Sequence, residues 1–154
     1  MTLLDMAILV HLLATVYMAG VIWFVQVVHY PMFSGFSEFS EFAGTEFRSC
    51  AIRHQRLTAR VVLLPMVIEI TTGIWLAIAH HNSATAMWWW IALALIGVIW
   101  WSTFAIQVPL HQTLARGFQP AAHQRLVTSN WVRTVAWSVR AVLVGVLVCS
   151  ASAV

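Results

Sequence analysis

Two apolar runs of this chain close on an amide and an imidazole: Gln26 and His29 in Val25-Gln26-Val27-Val28-His29-Tyr30-Pro31, and Gln107 and His111 in Ile106-Gln107-Val108-Pro109-Leu110-His111. The word His-Gln-Arg-Leu occurs at His54 to Leu57 and again at His123 to Leu126, each time leading into a further apolar run. Imidazole is the commonest nitrogen ligand of transition metals and haem iron. His29 and His111 therefore read as a ligand pair for haem or a transition metal, with Gln26 and Gln107 orienting the rings as outer partners. His54 and His123 read as further metal ligands or proton-transfer groups. They sit about two turns beyond the hydrocarbon edge, so a compact metal site needs offset helices, whereas haem or two separate sites tolerate the difference. The competing reading is interfacial histidines bonded to headgroups and water. No His-Glu-x-x-His, Cys-x-x-Cys or Glu-x-x-His pair is present.

Steps of three and four residues place His11, Thr15, Met18, Ile22, Gln26 and His29 on one stripe of a first helix. His54, Thr58, Val62, Pro65, Glu69 and Thr72 follow the same rule on a second, Trp100, Thr103, Gln107 and His111 on a third, and Asn130, Arg133, Trp137 and Arg140 on a fourth. Each stripe is expected to face the bundle interior. Glu69 and Arg140 lie at similar distances from the repeated histidines and hence at similar depth. An unpaired charge at mid-bilayer costs about 3 kcal/mol even on insertion scales, so the two are expected to pair. The pair reads either as a structural ion pair or as a proton-carrying or ligand-binding acid set by Arg140, with His11 joining the network or simply packing.

The elements that must position these groups follow from composition. With 61% hydrophobic and 8% charged residues and a mean hydropathy of +0.84, the chain lacks the polar surface of a soluble globule. A membrane-spanning helix needs about 20 apolar residues, and runs at 4–29, 61–79, 86–108 and 131–152 meet that need. Strand-period alternation is absent, so helices are left to satisfy the backbone in lipid. The start, Met1-Thr2-Leu3-Leu4-Asp5, lacks the basic stretch of a cleaved signal, and the first helix is expected to be retained. All basic residues are arginines. Arg48, Arg53, Arg56, Arg60, Arg116 and Arg125 lie in or beside the first and third connections. The positive-inside bias puts those connections in the cytoplasm and both termini outside, as in a multi-pass protein of the inner (plasma) membrane. The basic balance thus reports topology, and no nucleic-acid partner is expected. Cys50 and Cys149 fall on opposite sides of the bilayer and are not expected to pair. Without lysine, neither Schiff-base chemistry nor a lysine-ended phosphate loop is available.

The first connection is the longer one. In it Phe33, Phe36, Phe39 and Phe42 recur with Glu38 and Glu41 between them, which suits an interfacial helix anchored by phenylalanines or guarding a pocket mouth. Trp88-Trp89-Trp90 and Trp100-Trp101 read as interfacial and packing aromatics, or as the wall of a quinone or aromatic-ligand site. Pro120 suits the first turn of a helix that carries His123 into the fourth span. The expected fold is an all-α membrane protein, a four-transmembrane-helix bundle built from two parallel helical-hairpin repeats. It forms one domain over 1–154, with halves at about 1–80 and 84–154.

The stretches Trp23 to Pro31, Val108-Pro109-Leu110-His111 and Asn130 to Arg140 resemble the signature stretches of small four-helix bacterial membrane proteins near the anthrone-oxygenase-like family. His111 departs from the asparagine of that pattern. Some members are associated with oxidation of aromatic polyketide anthrones, and the resemblance implies that His29, Tyr30, Asn130 and Arg133 line an internal pocket.

The expectation is a membrane-embedded oxidoreductase-type bundle with haem or a metal between His29 and His111, acting on a hydrophobic aromatic or quinone reached from the lipid bilayer. Glu69 and Arg140 fix the charge beneath the site, and Tyr30, Asn130 and Arg133 orient the substrate. A proton-coupled or metal-ion transporter, with His11, Glu69 and the cytoplasmic histidines as its path, is the first alternative. A non-catalytic subunit docking through the third helix is the second. A homodimer stays open on either view.

Overall fold

The computed structural model describes residues 1–34 and 43–151. The phenylalanine repeat with Glu38 and Glu41 lies outside the described residues, apart from the backbone of Phe33. All regular structure among the described residues is helical. The first rod joins α1 (Leu3–Phe24), a π-helical turn (Val25–His29) and α2 (Tyr30–Ser34). The second is α3 (Ala43–Ala79), and the third joins α4 (Ala86–Ser102), a second π turn (Thr103–Gln107) and α5 (Val108–Leu114). The fourth is α6 (Pro120–Ala151), which Pro120 opens as expected. Four stretches, Leu3–Met32, Arg48–Ala79, Ala86–Leu114 and Pro120–Ser150, are long and apolar enough to cross a membrane. The second and fourth begin well before the apolar runs read at 61 and 131.

α3 packs against α1 and α4, and α6 packs against the same two, which closes a four-membered ring of antiparallel neighbours. The interior is unusually polar. His11, Thr15, Gln26, Glu69, Ser102, Gln107, Asn130, Thr134 and Arg140 are all buried, while Leu13, Leu64, Trp101, Phe104 and Val142 are exposed. Around the polar groups three apolar clusters seal the bundle, centred on Met18, Ile99 and Trp137, on Tyr30 and Leu126, and on Leu76 and Trp89.

Both π turns have the same cause. Pro31 and Pro109 have no amide to give, and each ring collides with the carbonyl of a regular preceding turn. A wider turn relieves the collision. The Tyr30 amide accordingly reaches back to the Val25 carbonyl, and the Val108 amide to the Thr103 carbonyl, each five residues earlier. The extra residue shifts the stripes. Beyond Gln26 the innermost side chain is Tyr30, 1% exposed, where steps of three and four place His29, which is only half-buried. In the third rod Ser102 and Gln107 are buried, five residues apart, and Thr103 is partly exposed.

These turns also bear on the two halves. Registered on their π turns and prolines, they set Tyr30 against Val108 and His29 against Gln107, so His111 has no histidine counterpart. The repeated tetrapeptides take different places too: Leu126 is fully buried, whereas Leu57 is 46% exposed. The halves share a backbone device and differ in the chemistry hung on it.

The Glu69–Arg140 pair is present, Arg140 Nη1 lying 2.9 Å from Glu69 Oε1 with both side chains sealed from solvent. Arg140 Nε also donates to the Ala92 carbonyl at 3.0 Å, and Nη2 faces His11 Nε2 at 3.2 Å. The Thr72 hydroxyl donates to the Ile68 carbonyl, so it must accept from His11 Nδ1, 2.7 Å away, which leaves Nε2 of a neutral ring to accept from Arg140. Thr15 adds a hydroxyl donor to Glu69 Oε1 at 2.5 Å. One guanidinium thereby ties α6 to α1, α3 and α4. Removing one charge strands the other, which costs about 3–5 kcal/mol, while replacing a whole buried pair with apolar groups is far cheaper. Glu69→Leu and Arg140→Leu are each expected to unfold at markedly lower denaturant than the Glu69→Leu/Arg140→Leu double variant, read by circular dichroism in micelles.

Candidate functional site

The end of the bundle where α1 passes into α2 gathers a run of aromatic and imidazole rings. His29 and His54 stack with ring centroids 4.0 Å apart and planes inclined by 24°. His54 lies 5.8 Å from His111, and the Tyr30 hydroxyl is 3.3 Å from His111 Nε2. Three rods supply these rings. The π turn positions the first pair, because its extra residue turns Tyr30 into the core and leaves His29 beside α3. Gln55, which follows His54, donates from Nε2 to the His111 carbonyl at 2.5 Å and clamps α3 to α5. Thr58, one turn along, keeps its hydroxyl 3.1 Å from His54 Nδ1.

His123 does not join them. Its Nε2 lies 3.0 Å from the Tyr30 carbonyl, where it can only donate, and it fixes the backbone behind Tyr30. Gln26 and Gln107 also depart from the expected role of orienting His29 and His111. Gln26 accepts from Asn130 Nδ2 at 2.8 Å and donates to the Val127 carbonyl at 3.3 Å, and Gln107 donates to Ser129 Oγ at 3.0 Å. Both amides therefore hold the π turns onto α6. The physical reason is that a π turn rotates its side chains away from the straight-helix stripe, toward the nearest polar groups on the fourth rod.

The four expected histidines are not assembled into one metal site. Among the described residues no group of three or more His, Cys, Asp and Glu side chains is placed to hold a metal ion. The stacked His29 and His54 present ring faces to each other, whereas ligation needs in-plane lone pairs converging on one point. The expected set of His29, His54, His111 and His123 is thus split between a ring cluster and a backbone clamp. His54 lies in ring contact with both His29 and His111.

Asn130 and Arg133 sit one turn apart on α6, as their spacing requires. Arg133 is 8% exposed, and its hydrogen bond runs from Nη1 to Asn130 Oδ1 at 3.3 Å. Among the described residues it has no carboxylate partner, and its Nε has no hydrogen-bond partner. Arg133 lines a cleft of about 290 Å³ between the second and third rods, together with His54, His111, Gln107, Trp100 and Met66. On the other side of His54 a second, more open cleft of about 600 Å³ lies between the first and second rods, with His29 and Tyr17 in its wall. Both clefts open on the apolar outer face, the first beside Leu63 and Phe104 and the second beside Val16 and Phe24.

The spacing of polar residues brought His29, His54, His111, Asn130 and Arg133 to notice, the resemblance added Tyr30, and all lie in this one region. Glu69 and Arg140 belong to a separate network, about four turns along α3 from His54 and about two turns along α6 from Arg133. Gln55, Thr58 and Ser129 were not singled out for their contacts; the only signal for Gln55 was its place inside the repeated tetrapeptide. Compared with known proteins, the chain matches no family model, no curated protein and no solved structure.

Gln26 makes more of its bonds than Gln107, whose Oε1 has no hydrogen-bond partner. Gln26→Leu orphans the buried Asn130 amide and is expected to destabilise the bundle by about 1–3 kcal/mol. Gln107→Leu strands only a hydroxyl that keeps its Arg125 carbonyl partner, and should cost clearly less. Paired denaturant titrations of the two variants in micelles measure the difference.

Proposed function

We propose that this chain is a multi-pass membrane protein whose ring cluster binds a hydrophobic aromatic or quinone-type molecule and moves a proton at its ring oxygen. That is the acid–base half of an oxidoreductase-type reaction. The single observation that carries the reading is the cleft itself, which opens on an apolar face and ends on His54, His111 and Arg133. A lipid-soluble ring can enter beside Leu63 and Phe104 without crossing water, and its oxygen then meets the polar end.

The membrane placement rests on the inverted distribution of polarity, buried charge within and exposed Leu, Val, Trp and Phe without. Arg48, Arg53, Arg56, Arg60, Arg116 and Arg125 are exposed at or near the two connections on the ring-cluster side. The positive-inside bias makes that side cytoplasmic and places the termini outside an inner membrane. The membrane-pocket resemblance of Tyr30, His29, Asn130 and Arg133 points the same way.

In the proposed reaction a phenolic O–H of the bound ring passes its proton to His111, and the Tyr30 hydroxyl, against the same imidazole, supports the proton's new position. Asn130 holds Arg133 beside the developing oxyanion. Electrons for any oxidation belong to an external acceptor.

A second reading, proton-coupled transport, is favoured by one observation: Glu69 Oε2 is buried with no hydrogen-bond partner, next to Arg140 and His11. Flux in proteoliposomes that Glu69→Gln abolishes would select it.

For the first reading the probe is 1-naphthol, whose neutral and ionised forms differ in absorbance. With the purified chain in zwitterionic nanodiscs, the bound fraction is expected to show the naphtholate spectrum. His111→Ala should shift it to the neutral form, and Tyr30→Phe should reduce the ionised share several-fold. Naphthol that stays neutral on the wild-type chain would sink the proposal.

A further inference from the structure

Arg133 presents a problem that proton transfer at a ring oxygen does not solve. A guanidinium more than nine-tenths buried keeps its charge, since arginine does not give up its proton in proteins. Uncompensated burial of a charge is strongly unfavourable, which is why buried ions are paired. Arg140 obeys this rule through Glu69. Arg133 does not: among the described residues it makes one long hydrogen bond to a neutral amide, and its Nε is orphaned.

Among the described residues the surroundings give no other source of negative charge. His54 and His111 flank the same cleft and can only be neutral or positive. Gln107 and Trp100, also in its wall, are neutral, and each carries a buried orphan: Gln107 Oε1, an acceptor, and Trp100 Nε1, a donor. Three polar atoms on residues of one cleft thus lack partners among the described residues, while Val62, Leu63, Met66 and Phe104 give the same cleft an apolar side.

We infer that this cleft is built for a monoanionic aromatic acid, one or two rings carrying a carboxylate and a neighbouring hydroxyl, with the carboxylate on Arg133. The inference rests on the proposed aromatic-binding reading and narrows it from neutral quinones and phenols to acids. A carboxylate supplies the missing countercharge and accepts from Nε and Nη of the planar fork in the geometry arginine favours. A ring hydroxyl beside it has Gln107 Oε1 to donate to and Trp100 Nε1 to accept from. The ring itself lies among aromatic and imidazole side chains, Trp100, Phe104, His54 and His111, a lining that favours planar bodies over flexible acyl chains. The volume of about 290 Å³ is at the small end for ligand cavities and limits the guest to one or two rings.

The test uses the full chain in zwitterionic nanodiscs and equilibrium dialysis of 3-hydroxy-2-naphthoate, its methyl ester and 2-naphthol. The acid is expected to bind at least tenfold tighter than the ester. Arg133→Gln should erase that preference. Asn130→Asp gives Arg133 an internal carboxylate at the cost of the amide bond to Gln26, and it should weaken the acid about tenfold more than the ester. Leu63→Trp, at the exposed lip, should weaken all three probes and marks the cleft even if Arg133→Gln fails to fold. Equal binding of acid and ester to the wild-type chain, or an acid preference that survives Asn130→Asp, overturns the inference. If 2-naphthol still binds and Leu63→Trp still blocks it, the broader aromatic reading stands while this one falls; if no probe binds, both fall. Palmitate displacing the naphthoate at equal concentration would overturn the aromatic part and make the guest a lipid acid.

Discussion

Arg140 is the constraint on which the bundle turns. A charged side chain with no solvent exposure has to be satisfied completely, and its three bonded nitrogens are met by three different rods, through the Glu69 carboxylate, the His11 ring and the Ala92 carbonyl. Its guanidinium also lies 5.3 Å from the Trp137 ring centroid, so the neighbouring turn of its own helix contributes a cation–π contact. Apolar packing holds helices together without fixing their rotation when their outer faces are equally apolar. Directional bonds to one planar fork fix it. Gly73 belongs to this arrangement: a methyl group there would lie 2.8 Å from Ile96 and 3.3 Å from His11, so the absence of a side chain lets α3 approach the ring that Arg140 holds.

The two buried arginines divide the bundle into a settled half and an unsettled half. At Arg140 each charge and hydroxyl finds a protein partner, with Glu69 Oε2 the exception. Around Arg133 the orphaned Nε of the arginine, Gln107 Oε1 and Trp100 Nε1 belong to residues that line one cleft. Residues that satisfy one another make structure, and buried residues left unsatisfied beside a cavity call for an explanation. The contrast between two arginines two turns apart on the same helix makes the second informative.

Much of this was legible in the sequence. Four spans, the inward faces of His11, Thr15, Met18, Ile22 and Gln26, the Glu69–Arg140 pair and the gathering of Asn130, Arg133, Trp137 and Arg140 all follow from period 3.6 and the cost of burying charge. The reading failed where the period failed. A straight helix puts His29 on the inner stripe, and the π turn puts Tyr30 there instead. Glutamines expected beside histidines were turned to α6. The repeated His-Gln-Arg-Leu words pointed to like positions, yet His54 joins the rings, while His123 serves a carbonyl. Short words of shared letters carry no information about the rotation of the helix that bears them. Pro31 and Pro109 were visible as residues, but whether a proline kinks a helix, ends it or widens the preceding turn depends on neighbours that one sequence does not display.

The wide turns have a consequence for how such a bundle adapts. Each holds one residue more than a regular turn requires, and one residue is worth about 100° of rotation. The slack sits immediately before the ring cluster, between the part of each rod held by Arg140 and the part that faces the cleft. In two of the four rods the wide turn thus decouples the rotation of the segment that carries the rings from that of the segment that Arg140 anchors.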